Sequence, residues 1–241
     1  MVLNDKTLLI TGAARRIGHH LALACAQAGA DIIIHHSNSS YEAEQTAKEI
    51  EQLGHRAWVL QADFQDPEAA EGLIQKANQL SSLYAVVNNA AIFEPLNLAQ
   101  TSLADWQRHL NINLTAPFLL SREFAAQLPA DQPGRIVNML DWRALRPSAD
   151  HFPYIISKAA LVALTQSLAV SLAPRITVNG LALGAILQPA DGTDTSRILS
   201  ETPAGRWADL EEVSQSLLFL LSGPSYITGD VLYVDGGRHL L

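Results

Sequence analysis

The 241-residue sequence contains a single cysteine, Cys25, so no disulfide can form within the chain and nothing indicates an oxidising compartment. Because Ala24 and Ala26 flank Cys25, we interpret it as a buried helical thiol rather than a nucleophile. Basic residues are also few, since 16 Lys and Arg against 24 Asp and Glu give a net charge of −8. The tightest basic cluster, Arg15 next to Arg16, is too small for a nucleic-acid-binding surface.

Long hydrophobic segments are absent as well. The N-terminus lacks the charged start, the apolar run and the small-residue cleavage site of a signal peptide. The longest apolar stretch, at 159–173, is interrupted by hydroxyl and amide side chains and does not resemble a membrane span. We therefore expect a cytoplasmic protein that binds neither nucleic acid nor membrane.

What the sequence does have is a regular alternation of short apolar runs and longer amphipathic stretches. The predicted strands lie at 7–11, 31–35, 57–61, 84–87, 135–139, 176–179 and 231–234. The predicted helices lie at 18–28, 41–53, 67–80, 103–127, 154–172 and 210–221. Because the strand runs are apolar throughout, the pattern predicts an α/β fold: a doubly wound, seven-stranded parallel sheet with helices on both faces, forming a single domain over 1–241. Only 188–207, rich in Pro, Gly, Thr and Asp, interrupts the alternation, and we interpret it as a lid.

A glycine-bearing turn, TGAARRIG at 11–18, follows the first predicted strand. Gly12 allows a tight turn, Gly18 allows close packing of helix on strand, and the helix N-terminus offers free N–H groups to a pyrophosphate. Because the turn lies between a predicted strand and a predicted helix, it indicates the phosphate-binding turn of a Rossmann fold. Its spacing is not the standard dinucleotide fingerprint, and this stretch alone would also suit an ordinary turn between strand and helix. Arg16 stands where a middle glycine is usual.

The end of the second predicted strand bears on which dinucleotide binds. Where NAD-specific folds place an acidic residue against the ribose 2′-hydroxyl, this chain has HHSNS at 35–39. No carboxylate there would repel a 2′-phosphate, and Arg16 with the Ser and Asn donors would favour it, so we expect NADP(H). Two pairs of adjacent histidines, at 19–20 and 35–36, do not indicate a metal site, because neighbouring side chains on a helix or strand point in different directions.

A tyrosine and a lysine share one face of the fifth predicted helix. Tyr154 and Lys158 are four residues apart. An ammonium beside a phenol favours the phenolate, so we expect Lys158 to lower the pKa of Tyr154 from about 10 toward neutrality. Such a tyrosine can transfer a proton at neutral pH.

Six motifs together resemble the short-chain dehydrogenase/reductase family over about residues 7–237. They are TGAARRIG at 11–18, NNAA at 88–91, LNINLTAPF at 110–118, GRIVNMLDW at 134–142, YIISK at 154–158 and YITGDVLYVDGG at 226–237. The tyrosine–lysine motif alone occurs often by chance, whereas six motifs in the family's order and spacing are specific.

The resemblance implies roles for the matching residues. Tyr154 and Lys158 would be catalytic, Lys158 would also bind the nicotinamide ribose, and Asn113 would hold a water that relays protons to Lys158. The pair at 63–64 would flank the adenine, and 184–186 would face the nicotinamide carboxamide. The full set expected to contact the cofactor is Gly12, Arg15, Arg16, Ile17, Gly18, His36, Ser37, Asn38, Ser39, Asp63, Phe64, Asn89, Ala90, Ala91, Tyr154, Lys158, Gly184, Ala185 and Ile186.

Two departures from the family's usual pattern narrow the substrate. Thirteen positions before Tyr154, where most members have a serine that donates to a substrate carbonyl, this chain has Asp141, and an ionised carboxylate cannot donate that bond. Asp141 could instead bond to Tyr154, or carry a proton toward a ring nitrogen if its pKa is raised. Together with Arg16, this is the pattern of the pteridine reductase branch, which also has a phenylalanine after the NNA motif that stacks on the pterin; here that residue is Phe93.

We therefore expect NADPH-dependent reduction of a pterin ring, from dihydrobiopterin or dihydrofolate to the tetrahydro form, with the fully oxidised pterin left open as a further substrate. Substrate contacts are expected from Arg16, Phe93, Asp141 and Tyr154, and no metal is expected. Two alternatives remain. One is a 3-oxoacyl-thioester or other carbonyl reductase of the same family, against which Asp141 argues. The other is a catalytically silent NADP-sensing or scaffold protein, against which the intact catalytic set argues.

The resemblance also implies assembly. The branch is usually a homotetramer, in which the helices at 103–127 and 154–172 pack across subunits. Its C-terminal tail can approach a neighbour's active site, where Arg238 or His239 would contribute.

Overall fold

Seven parallel strands form one sheet in the computed structural model, which describes residues 2–188 and 196–241. The strands are β1 (Thr7–Ile10), β2 (Asp31–His36), β3 (Ala57–Gln61), β4 (Leu83–Asn88), β5 (Gly134–Asp141), β6 (Ile176–Leu183) and β7 (Val231–Val234). Their order across the sheet is β3-β2-β1-β4-β5-β6-β7, and every neighbouring pair is parallel. The predicted doubly wound sheet is confirmed.

Helices connect the strands. They are α1 (Arg16–Gln27), α2 (Ser40–Gln52), α3 (Pro67–Glu71), α4 (Leu73–Leu80), α5 (Leu103–Leu110), α6 (Ala116–Gln127), α7 (Phe152–Leu172), α8 (Ser196–Ser200) and α9 (Leu210–Ser222). A π-helical turn (Asn111–Thr115) joins α5 to α6, and short 3-10 turns (Trp142–Ala144 and Arg238–Leu240) follow β5 and β7.

Two predicted helices are each divided in the structure. The stretch at 67–80 forms α3 and α4, which meet at Gly72, and the stretch at 103–127 forms α5, the π-helical turn and α6. The π-helical turn places Asn113 fully inside the protein, where its amide bonds to both backbone groups of Ile92. Local periodicity could not reveal this turn, because the partner that holds it is 21 residues away in the chain.

The predicted strand bounds differ mainly at the carboxyl ends. The strands predicted at 135–139 and 176–179 extend to Asp141 and Leu183. The two strands pair with each other along their whole length, and this tertiary pairing carries them beyond their apolar runs.

The strands bury apolar side chains on both faces. In β1, Leu8 and Ile10 pack with α1, α2 and α9 on one face, whereas Leu9 packs with α4 and α6 on the other. Cys25 lies wholly buried on the first face, and burial raises the pKa of its thiol to about 12. The interpretation of Cys25 as an unreactive packing residue is confirmed.

One helix, α7, is long and apolar enough to cross a membrane by length and composition. The core helix of a soluble protein passes the same test. α7 packs along β5 and β6, and its buried face carries Tyr154 and Lys158. Only part of the predicted lid at 188–207 can be placed, since 189–195 lie outside the described residues.

The chain order reverses between β1 and β4, which are neighbours in the sheet. In such sheets the loops that follow the two strands diverge and leave a crevice at the carboxyl edge. Gly18 allows the first turn of α1 to pack closely against this edge: a Cβ built there would lie 2.1 Å from the Gly12 carbonyl oxygen and 2.6 Å from the Asn89 amide nitrogen.

We expect Gly18→Ala to lower the free energy of unfolding by roughly 1–3 kcal/mol or more, because a backbone oxygen leaves the new methyl group no room. The control is Gly72→Ala, since Gly72 has ordinary helical backbone angles and no atom lies within 4 Å of the position that its new methyl group would take. That change should stabilise the protein by about 0.4–1 kcal/mol. Urea denaturation measures both, and equal stability of the two variants would contradict the packing argument.

Candidate active site

A cleft of about 710 Å³ lies at the carboxyl edge of the sheet, where β1 and β4 diverge. Fourteen of the residues expected to contact a cofactor line it, together with Phe93: Gly12, Arg15, Arg16, Ile17, Gly18, His36, Ser37, Asn38, Ser39, Asp63, Phe64, Asn89, Ala90 and Ala91. The structure therefore brings the glycine turn, the end of β2, the end of β3 and the NNAA motif to one surface. We call it the cofactor cleft.

The glycine turn is held by hydrogen bonds from the loop after β4. The Asn89 amide donates to the carbonyl oxygens of Thr11 (2.8 Å) and Gly12 (3.2 Å), and the Thr11 hydroxyl accepts from the backbone N–H groups of Asn89 and Ala90. Helix α1 has no side-chain cap and no acidic residue in its first turn. Arg16, Ile17 and Gly18, the first residues of α1, line the cleft, which places the helix N-terminus where a pyrophosphate would bind.

Arg16 adopts a left-handed backbone conformation, with φ +54°. This explains why glycine is usual at the position, since a residue with a Cβ pays roughly 1–2 kcal/mol for that conformation. In this strained conformation, Arg16 places an exposed cation at the cleft.

His35, which no sequence motif assigns to the site, joins the glycine turn to the adenine side of the cleft. Its Nδ1 accepts from the Gly12 N–H (3.2 Å), its Nε2 donates to the Ala62 carbonyl oxygen (2.9 Å), and its ring stacks on Phe64 at 4.2 Å. Accepting at one nitrogen requires the neutral ring. Burial lowers the pKa of His35 from 6.5 to about 4, so the ring is neutral near pH 7.

Next to it, His36 is buried, with no hydrogen-bond partner for its Nδ1. His36 lines the cleft with Ser37, Asn38 and Ser39, where a 2′-phosphate is expected. Burial lowers the pKa of His36, and Glu44 and Glu42 oppose that effect. These polar groups and the cations of the glycine turn fit NADP(H).

Tyr154 and Asp141 form the centre of the expected catalytic set. The phenol donates to Asp141 Oδ2 at 2.9 Å, and Asp141 Oδ1 accepts from the Arg143 backbone N–H at 2.8 Å. The expectation that Lys158 lowers the pKa of Tyr154 is wrong for this arrangement. Burial, the Asp141 charge and the hydrogen bond to Asp141 raise that pKa well above 10, and Arg143 opposes them only weakly.

Lys158 is completely buried beneath Tyr154. Its Nζ donates to the Met139 carbonyl oxygen at 2.7 Å and lies 5.8 Å from the centre of the Tyr154 ring. Burial lowers the pKa of Lys158 from 10.5 to about 8, and the Asp141 charge partly offsets this. Lys158 therefore loses its proton under mildly alkaline conditions.

Asn113 makes its hydrogen bonds inside the protein. Its Oδ1 accepts from the Ile92 N–H, and its Nδ2 donates to the Ile92 carbonyl oxygen and to the Ser157 hydroxyl. Ser157 in turn donates to the Tyr154 carbonyl oxygen. Asn113 therefore ties the loop after β4 to the catalytic helix, and its expected role in a proton relay stays a prediction.

Phe93 lies half exposed at the mouth of the site. Its ring stacks on His151 with 3.9 Å between centres and meets the Tyr154 ring edge-on at 4.7 Å. His151 has φ +51° and directly precedes α7. The expected stacking position of a pterin on Phe93 is therefore bordered by an imidazole that no sequence motif marks.

The 184–186 segment follows β6 and lies at the same edge. Gly184 donates its N–H to the Val234 carbonyl oxygen, and Ala185 lines a second cavity of about 310 Å³ with Tyr233, Asp235 and His239. Gly184, Ala185 and Ile186 do not line the cofactor cleft, and their expected contact with the carboxamide stays a prediction. Within 2–188 and 196–241, no three or more His, Cys, Asp or Glu side chains are grouped to hold a metal ion.

The pKa of His35 has a consequence for stability. Because the folded pKa is about 4 and the usual value is 6.5, the unfolded chain binds more protons between these pH values. Stability is therefore complete above pH 6.5 and falls by up to about 3 kcal/mol as the pH drops through 4. In His35→Asn this part of the pH dependence should disappear, whereas His55→Asn, in the turn before β3, should keep it. Urea denaturation from pH 4 to 7 measures the slopes, and an unchanged slope in His35→Asn would refute the assignment.

Comparison with known proteins agrees with this geometry. A family model described as enoyl-(acyl carrier protein) reductase matches residues 12–239. A curated 3-oxoacyl-[acyl-carrier-protein] reductase from Synechocystis sp. is 32% identical over 98% of this chain and 97% of its own length.

Two solved structures are similar over nearly the whole chain. FolM alternative dihydrofolate reductase 1 from Brucella suis, in complex with NADP, is 33% identical with a TM-score of 0.90 and covers 98% of this chain and 96% of its own. A short-chain dehydrogenase from Burkholderia cenocepacia, also in complex with NADP, is 35% identical with a TM-score of 0.92 and covers 99% of each chain. With the sheet order, the cofactor cleft and the Tyr154–Lys158 pair, these matches establish that the chain belongs to the short-chain dehydrogenase/reductase family.

Proposed function

We propose that this protein is an NADPH-dependent pteridine reductase that converts dihydrobiopterin or dihydrofolate to the tetrahydro form, with oxidised pterin as a further candidate substrate. The observation that carries the proposal is the hydrogen bond from Tyr154 to Asp141. Where a ketone reductase of this family has a second donor to the substrate oxygen, this site has an acceptor that is already bonded to the phenol. Similarity to the Brucella suis alternative dihydrofolate reductase supports the same substrate class.

NADP(H) as the cofactor is supported by the solved relatives, which include complexes with NADP and NADPH. In this chain the α1 N-terminus with Arg15 and Arg16 would hold the pyrophosphate, and 36–39 would hold the 2′-phosphate. Asp63 and Phe64 would flank the adenine, while Ala90, Ala91 and Lys158 would lie along the nicotinamide half. Bound there, the cofactor supplies the hydride for the reduction.

The chain's own contribution is the proton. Reducing a C=N bond of a pterin places a hydride on carbon and a proton on the neighbouring nitrogen. The raised pKa keeps Tyr154 protonated at neutral pH, so its Oη holds a proton, which it donates to Asp141 Oδ2. Asp141 orients that phenol through Oδ2, and the buried Lys158 cation stabilises negative charge as the proton leaves.

Substrate selection rests on the aromatic side chains at the mouth. The exposed half of Phe93 offers a flat apolar surface beside Tyr154, which suits a fused heteroaromatic ring. Arg16 lines the same cleft as Phe93 and would meet the polar edge of the ring.

The first alternative is a 3-oxoacyl-thioester reductase, favoured by the name of the Synechocystis relative. Asp141 opposes it, because a carboxylate repels the alkoxide that forms when a ketone is reduced. The second alternative is a catalytically silent NADP-sensing protein. It does not explain why Tyr154 and Lys158, whose polar groups cost free energy to bury, are both buried near a cleft large enough for the cofactor.

For assembly we propose a homotetramer in the cytoplasm. Phe118 on α6 and Ile156 and Val170 on α7 are exposed apolar side chains on the helices expected to pack across subunits. We retain 188–207 as the lid. The C-terminal turn contacts the turn after β5 in its own chain, so approach to a neighbour's site is not needed to bring Arg238 close to the mouth.

The direct test of the function is oxidation of NADPH, followed by the fall in nicotinamide absorbance near about 340 nm, with dihydrobiopterin, dihydrofolate or an acetoacetyl thioester. We expect turnover of the pterins, and loss of at least about 10²-fold in kcat for Tyr154→Phe, which removes the proton donor. Asp141→Ser should lower pterin turnover as well. Turnover of the thioester alone would overturn the proposal in favour of the carbonyl reductase, and absence of any turnover would favour the silent protein.

The coupling of Asp141 to its neighbours predicts a pH effect. Asp141 raises the pKa of both Tyr154 and Lys158, so Asp141→Asn should lower both. In the wild type, kcat/KM should fall as Lys158 loses its proton above about pH 8, and in Asp141→Asn the fall should begin at lower pH. The control is Asp150→Asn, which removes a more exposed carboxylate from the same connection. If kcat/KM falls at the same alkaline pH in Asp141→Asn as in the wild type, this coupling is wrong.

A further inference from the structure

Two arginines lie on the 3-10 turns that follow β5 and β7, and both contact the same tryptophan ring. Arg143 lies in the turn after β5, two residues beyond Asp141, and its backbone N–H bonds to Asp141 Oδ1. Arg238 lies in the turn after β7. Both guanidinium groups lie over the Trp142 ring, with their Cζ atoms 5.1 Å and 4.4 Å from its centre. We call these two residues the arginine pair.

The arginine pair borders the position proposed for the substrate ring. Arg143 Cζ lies 5.8 Å from the centre of the Phe93 ring, and Phe93 meets Tyr154 edge-on. A ring placed beside Phe93 and Tyr154 would therefore carry its side chain past Arg143. Whatever projects from the ring at that point passes close to the Arg143 guanidinium.

The two arginines differ in their ion pairs with the described residues. Arg238 pairs with Glu201 at 3.3 Å, and its side chain is only 10% exposed. For Arg143, the described parts of the chain, 2–188 and 196–241, provide no carboxylate within ion-pair distance of its guanidinium, although Asp141 and Asp150 lie nearby. Burial lowers the pKa of Arg238, and Arg143 lowers it further. Two guanidinium groups on one tryptophan ring, of which Arg143 has no ion-pair partner in 2–188 and 196–241, can bind an anion that reaches them.

The turn that carries Arg238 is held by hydrogen bonds to the loop between β5 and α7 and to the end of β7. Arg146 donates to the Leu241 carbonyl oxygen, and the Asp235 carboxylate accepts from the backbone N–H groups of Gly237 and His239. The second arginine is therefore held by hydrogen bonds to two elements rather than left on a free tail. A binding group positioned in this way loses little conformational entropy when a ligand arrives.

We propose that the arginine pair binds an anionic group on the side chain of the substrate, and that it makes the enzyme select pterins that carry one. This rests on the pterin reductase function proposed above and names its substrate class. The chemistry that fits is a carboxylate or a phosphate, both of which guanidinium groups bind through paired hydrogen bonds. The carboxylate would come from the glutamate tail of a folate, and the phosphate from a phosphorylated pterin side chain.

The test compares substrates that share a ring and differ in charge. We would measure kcat/KM for 7,8-dihydrofolate, 7,8-dihydroneopterin monophosphate and neutral 7,8-dihydrobiopterin with the wild type, Arg143→Gln and Arg143→Lys. In Arg143→Gln, the ratio of kcat/KM for an anionic substrate to that for dihydrobiopterin should fall at least tenfold, and Arg143→Lys should restore part of it. Using the ratio cancels any effect of Arg143 on Tyr154 itself. The anionic substrate whose kcat/KM ratio falls more shows whether the arginine pair binds a carboxylate or a phosphate.

The matched control is Arg56→Gln, which removes the same charge at the opposite edge of the sheet, where Arg56 pairs with Asp31 at the start of β2. It should leave the ratio unchanged. An unchanged ratio in Arg143→Gln, with the wild type active on pterins, overturns the anion site and leaves the reductase function standing.

If the wild type reduces none of the three substrates, the proposed function fails, and the anion site is decided by binding. Calorimetric titration with p-aminobenzoylglutamate, the tail alone, should then show weaker binding to Arg143→Gln than to wild type. Equal affinity, or no binding to either, would overturn the site.

Discussion

The close contact between the glycine turn and the loop after β4 determines the rest of the site. Gly18 brings α1 against the Gly12 carbonyl oxygen, and Asn89 bonds to the same turn from the other strand. These contacts lie where the strand order reverses, so they set the floor of the cofactor cleft. His35 extends them sideways to Phe64. Each of these hydrogen bonds joins one side chain to a backbone group of the glycine turn.

The chemistry of the site depends on the burial of its catalytic side chains. Tyr154, Asp141 and Lys158 come from two adjacent elements, β5 and α7, which pack against each other. In this poorly solvated environment the Asp141 carboxylate acts on both neighbours, keeping the phenol protonated and supporting the charge of the ammonium. With the family's usual serine, the site would offer two hydrogen-bond donors to a carbonyl oxygen. With Asp141 it has one donor, the Tyr154 phenol, beside an acceptor.

Much of the fold could be predicted from the sequence, because apolar runs and glycine turns are local signals that parallel sheets of this kind repeat. The spacing of Tyr154 and Lys158 correctly placed both residues on one helix face. It indicated the wrong direction for the pKa of Tyr154, because desolvation and the Asp141 contact depend on packing that spacing does not encode. His35 and Arg143 were missed for a related reason. His35 bonds to Gly12 and Ala62, and Arg143 lies beside the Phe93 ring, and these contacts join residues distant in the chain.

The stack of Phe93 on His151 affects how any flat ligand would enter. The aromatic surface at the mouth is already partly covered by another ring of the same chain. A ligand that takes that face exchanges one stacked contact for another, and the apolar gain is only the difference between the two. Discrimination among flat heterocycles then depends on their polar edges and on the groups attached to them, rather than on ring area.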